Sequence, residues 1–171
     1  MSRNVLAAAV IAALAVVAGT VSVAAASPAA RPAAAKPTTL VFDVVFSPFE
    51  LVQANNVRNP HSPFALGDEI VEHDQLFSTG QRVGDTGVSC VIVALPPHGL
   101  ANCSAVFRLP GGNITAQFAT SPGPAPKPLA LTGGTGIYRT IGGDGTLVEF
   151  GPVKGKLTLH VLSLVARGGG G

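Results

Sequence analysis

The stretch Ala101-Asn102-Cys103-Ser104-Ala105-Val106-Phe107-Arg108-Leu109 decides how the rest of the chain is read. Its odd positions are Ala101, Cys103, Ala105, Phe107 and Leu109, all apolar, while Asn102, Ser104, Val106 and Arg108 occupy the even ones. Successive strand residues point to opposite faces, so this alternation predicts an extended strand with its odd side buried. The buried side runs from small residues to large ones, which suits the interior of a tapering barrel. Asn113 to Ala119 repeats the pattern, with Ile114, Ala116 and Phe118 on one side.

The same period extends in both directions. Leu40 to Phe46 sets Leu40, Phe42, Val44 and Phe46 against Val41, Asp43 and Val45, a strand covered on both faces with one carboxylate in it. After a loop rich in Asn and Pro, Ala54 to Gly67, further extended segments are expected over Asp68 to Ser78, Val88 to Ala94, Leu129 to Leu131, Thr146 to Phe150 and Lys156 to Val165. Gly111-Gly112, Gly142-Gly143 and Gly155 mark turns between them. About eight strands with short connections predict an all-β, antiparallel barrel or sandwich. No window of a dozen residues is free of helix breakers.

Composition agrees and excludes other classes. Of 171 residues only 12% are charged and 47% are apolar, with 21 Gly and 14 Pro. Soluble domains usually carry about 25% charged residues, so coiled coils and charged disordered chains are excluded. With 11 basic against 9 acidic residues there is no surplus to track a phosphate backbone, and nucleic acid is not an expected partner.

The N-terminus reads as a secretory signal. Arg3 gives the positive region, Val5 to Val17 the apolar core, and Ala24, Ala25 and Ala26 the small residues for cleavage. Residues 1–26 are therefore expected to be removed, leaving a secreted, nearly neutral chain with no stable membrane span; the competing outcome is a retained anchor. Residues 27–38 read as an Ala/Pro-rich linker, 39–166 as the barrel and 167–171 as a Gly tail. Cys90 and Cys103 lie equally far from a Pro96-Pro97 turn, so a hairpin would set them opposite each other. Opposed Cβ atoms about 4.5–5.5 Å apart are close to disulfide distance. The pair is thus either a disulfide, which export permits, or two buried thiols.

Several motifs together resemble the allene oxide cyclase and dirigent barrel superfamily. They are Gly67-Asp68-Glu69-Ile70, Leu76-Phe77, the Ala105 to Ile114 run, and above all Leu129-Ala130-Leu131-Thr132-Gly133-Gly134-Thr135-Gly136-Ile137-Tyr138-Arg139. The resemblance covers roughly residues 40 to 165 and is closest to the bacterial, actinobacterial-type branch. It implies a single eight-stranded antiparallel barrel around a hydrophobic cavity, assembled as a homodimer or homotrimer and needing no cofactor. It also implies a small hydrophobic ligand, with cyclisation or stereoselective coupling as the activity. The alternative is a non-catalytic carrier or cell-surface barrel. Independently of the family, Gly133, Gly134 and Gly136 permit close approach of a neighbouring chain. No phosphate loop is present, because no Lys-Ser or Lys-Thr follows them.

Such chemistry needs apolar walls and one or two convergent polar groups. Phe42, Phe46, Phe107, Phe118 and Tyr138 are the candidate walls, although strand phenylalanines also serve simply as core. Asp43 is the candidate catalytic carboxylate because it interrupts an apolar strand; otherwise it faces outward or pairs with Arg108 or Arg139. Arg139 matches an Arg that follows the Gly-Thr-Gly motif in dirigent proteins. Plant cyclases carry Glu-x-Asn on the first strand, which Phe42-Asp43-Val44-Val45 lacks. His61, His73, His98 and His160 show no ligand spacing, so no metal site is expected.

Overall fold

The computed structural model describes residues 37–54 and 62–163. The signal segment 1–26, nearly all of the linker, His61 and the Gly tail lie outside the described residues. Nine strands follow in order: β1 (Thr38–Val45), β2 (Glu50–Val52), β3 (Glu69–Ser78), β4 (Gln81–Ala94), β5 (Leu100–Leu109), β6 (Gly112–Thr120), β7 (Lys127–Gly134), β8 (Ile141–Glu149) and β9 (Lys154–Ser163). A 3₁₀ turn, Gly136–Tyr138, precedes β8. The sheet runs β1-β9-β8-β7-β6-β5-β4-β3, and β1 pairs with β3 to close an eight-stranded antiparallel barrel; β2 pairs with the start of β3, on the edge opposite β4 that β1 also uses. Closure leaves no edge among the eight except where β2 attaches.

Three strands are longer than their sequence pattern predicts: β4 begins at Gln81, β7 at Lys127 and β8 at Ile141. Gly84 and Gly87 in β4, and Gly142, Gly143 and Gly145 in β8, dilute the apolar alternation. The ladders supply the pairing that side chains do not advertise.

The alternation in β5 is realised residue by residue. Ala101, Cys103, Ala105 and Phe107 are buried, whereas Asn102, Ser104, Val106 and Arg108 are exposed. Cys90 and Cys103 are register partners joined by a disulfide, which settles the alternatives left open by their spacing. The core fills one end of the lumen with Leu76, Ile114, Leu157 and Leu159, each at most 2% exposed. Burying such a side chain contributes roughly 1.5–3 kcal/mol.

The glycine block packs across the β5–β6 turn at that end. Thr135 N–H donates to Asn113 O (2.8 Å), Ile137 N–H to Gly111 O (3.0 Å), and Thr135 Oγ1 accepts from Asn113 N–H (3.0 Å). A Cβ on Gly136 would stand 1.9 Å from Gly111 O, and one on Gly112 would stand 2.1 Å from Thr135 O. The two segments approach so closely that only glycine fits where they cross.

Candidate functional site

The graded inner face of β5 divides the lumen. Phe107 stands at the packed end, while Ala105 and Ala101 are too small to fill the other, and a cavity of about 150 Å³ opens there. Its walls include Val44, Phe46, Phe107, Phe118, Leu129 and Leu157. An apolar cavity of this volume can hold a benzene-sized group. It continues into an antechamber of about 350 Å³ formed with Phe49, Phe64, Leu95 and Pro122 from the connecting loops. Both chambers share Ile70, Glu72, Ala101, Thr120, Lys127 and Glu149, which ring the passage between them.

Asp68 shapes the loop side of this mouth. It is 2% exposed, and its carboxylate accepts the N–H groups of Ala54 (3.0 Å) and Ala65 (2.8 Å). Those bonds tie both flanks of the segment between them to the start of β3.

The passage carries the lumen's charge. On β3 the even positions face inward, so Ile70, Glu72, Asp74 and Leu76 line the cavity in sequence. Lys127 opens β7 in phase with Leu129 and Leu131, and Glu149 ends β8 in phase with Leu147. Lys127 is 8% exposed; its Nζ lies 3.0 Å from Glu149 Oε2 and donates to Gly123 O at 3.0 Å. Asp74 accepts the Ser47 N–H at 3.0 Å. Burial is the main force pushing the Glu72 carboxyl from 4.5 up to about 7, aided by the Asp74 and Glu149 charges and opposed by Lys127. Burial also raises Asp74, against the Ser47 N–H and His73. Glu72 thus exchanges its proton near neutrality beside an apolar chamber, as a general acid or base must.

The expected site residues separate into two groups. Phe46, Phe107 and Phe118 line the cavity, while Phe42 is buried in the core outside it. Tyr138 packs half-buried against the core's closed end, with its hydroxyl 3.5 Å from Pro110 O. Asp43 requires a correction: its side chain is 62% exposed on the outer face and sits 3.3 Å from Lys156. Phe42 and Val44 take the inward positions of β1, so period two turns Asp43 out. Arg139 is exposed beyond the 3₁₀ turn and likewise does not reach the cavity. Arg108 pairs with Asp85, not Asp43, through Nε–Oδ1 (2.5 Å) and Nη2–Oδ2 (2.8 Å) bonds. That contact holds the Asp85 carboxyl below its usual range.

The residues missed from sequence are Glu72, Asp74, Lys127 and Glu149. A signal was present as phase for Lys127, in step with Leu129 and Leu131, and for Glu149, in step with Leu147; β3 carries two apolar residues on each side, so its pattern gave none for Glu72 and Asp74.

No protein-family model and no curated protein matches the chain. Solved structures do. A pyocyanin demethylase matches with a TM-score of 0.63 and 26% identity, over 72% of this chain and 99% of that one. A nonspecific heme-binding cyclase, which catalyses a 4 + 2 cycloaddition in neoabyssomicin biosynthesis, matches with a TM-score of 0.60 and 14% identity, over 77% and 70%. The Diels-Alderase AbmU from Streptomyces koyangensis matches at 0.58 and 14%, over 74% and 64%. The two cyclases share the barrel fold with this chain.

Proposed function

We propose that this protein is an exported barrel of the allene oxide cyclase-like or dirigent-like kind. It takes a small hydrophobic molecule into its lumen and guides a cofactor-free cyclisation or stereoselective coupling. The observation that carries this reading is the apolar chamber ending at the half-buried carboxyl of Glu72. Apolar walls hold a flexible reactant in one folded shape and keep water from it, which is the larger part of such catalysis. Glu72, protonated up to about neutrality, can donate a hydrogen bond to an oxygen of the reactant as the new bond forms, the polar role that the sequence assigns to Asp43 and Arg139. Neighbouring barrels described as catalysts of a 4 + 2 cycloaddition and a Diels-Alder reaction support the reading. In it, residues 1–26 are the removed signal, 27–38 the linker, 39–166 the barrel and 167–171 the tail, and the barrel assembles as a homodimer or homotrimer.

Binding is tested with the neutral fluorophore N-phenyl-1-naphthylamine. Native protein should show saturable one-site enhancement, and Ala105→Phe, which extends a ring into the chamber, should abolish it while the circular dichroism spectrum stays unchanged. Absence of saturable binding to the native protein overturns the proposal. A non-catalytic carrier would bind the probe equally and convert no candidate polyene or epoxide.

A further inference from the structure

The passage between the two chambers has an unbalanced charge. Glu72 and Glu149 line it with one ammonium, Lys127, and Asp74 adds a third carboxylate from the inner chamber. Lys127 is already committed to Glu149 and to the Gly123 carbonyl, and Asp74 holds the Ser47 N–H. Among the described residues no cation lies within ion-pair distance of Glu72. The groups facing it are Asp74 on its own strand, Glu149 from β8 and Lys127 from β7, so two of the three repel its ionised form.

A second feature of the same cavity is independent of that charge. Thr86 lies opposite Asp74 in the β3–β4 ladder, is 3% exposed and lines the chamber. Its Oγ1 is buried and, among the described residues, has no hydrogen-bond partner. Buried hydroxyls are nearly always satisfied, so an orphan on a residue that lines the cavity is a position where, after a rotation of the Thr86 side chain, the occupant can supply the partner.

Resting on the ligand-binding reading above, we infer that the natural ligand is an amphiphilic organic cation. It has a basic or quaternary nitrogen held in the passage beside Glu72 and an apolar body among Phe46, Phe107 and Phe118. One neutral hydrogen-bonding group on that body reaches Thr86. Among the described residues no three acidic or metal-ligating side chains gather closely enough to share a metal ion. A positive nitrogen on an apolar body offsets the carboxylate surplus at the passage while the body fills the apolar chamber.

The test uses two probes of one shape, 6-methoxy-1-methylquinolinium and its uncharged carbon isostere 6-methoxy-1-methylnaphthalene, titrated calorimetrically into the full chain. The quinolinium charge does not titrate, so any pH dependence belongs to the protein. At pH 8 the cation should bind about tenfold more tightly than the isostere, the scale expected for one close charge pair partly screened by water. The advantage should shrink as pH falls through 7 and be clearly reduced in Glu72→Gln, where Glu149 stays paired with Lys127 and Asp74 is the one carboxylate left unpaired. Thr86→Val should weaken both probes alike, because each offers the same methoxy oxygen. Equal affinity for the two at pH 8, or weaker binding of the cation, overturns the inference and leaves the ligand-binding reading standing. Failure of both probes overturns that reading as well.

Discussion

Replacing Glu72 by Gln should stabilise the barrel, and only above acidic pH. The unfolded chain ionises this carboxyl near 4.5, whereas the folded chain holds it protonated up to about 7. Between those values folding keeps a proton that the unfolded chain releases, so native stability falls as pH rises through the window and levels off above it. At full strength the shift corresponds to ~3 kcal/mol. Glu72 is only half-buried at an open mouth, and solvent screening lowers the effect to about 1–2 kcal/mol. Gln keeps the shape and cannot ionise. Wild type and Glu72→Gln should therefore melt together at pH 4, while at pH 8 the variant should melt roughly 3–8 °C higher, given the usual conversion for a domain of this size. Asp74 titrates in both proteins and cancels to first order. Differential scanning calorimetry from pH 4 to 8 measures the gap. A gap constant with pH, or a wild type more stable than the variant at pH 8, would refute the reasoning, because either result means the Glu72 carboxylate is satisfied in the fold.

Two further substitutions probe the frame around the site. Thr86→Val removes a buried hydroxyl that has no partner among the described residues and keeps its shape, so urea denaturation should show a gain of about 1 kcal/mol; a loss of stability would mean that the hydroxyl is hydrogen-bonded. Gly136→Ala places a Cβ 1.9 Å from Gly111 O at a residue with φ of 60°, and the same measurement should show a loss of at least about 2 kcal/mol. A neutral result there would mean that the crossing over the β5–β6 turn is loose.

The sequence by itself determined an all-β antiparallel fold, barrel or sandwich, and the inner face of β5; the pairing of β1 with β3 decided for the barrel. Period two in Ala101 to Leu109 fixed which side chains point inward, and the equal spacing of Cys90 and Cys103 from Pro96-Pro97 made them register partners, both local properties of a hairpin. The step from alanines to Phe107 along that face pointed to a tapering interior, and the structure places the cavity at its alanine end. Asp43 drew notice as a charge in an apolar strand, yet the same periodicity, followed from Phe42 and Val44, turns it outward. Tertiary structure alone decided the polar site. Lys127 and Glu149 are strand-end charges that meet across the β7–β8 pair, whereas Glu72 lies within β3, far from both in the chain. Only barrel closure brings β3, β7 and β8 to one mouth, where shared burial and mutual repulsion change how readily Glu72 gives up its proton. Alternation is set between neighbouring residues, whereas a pKa depends on every charge and apolar wall that folding gathers around it.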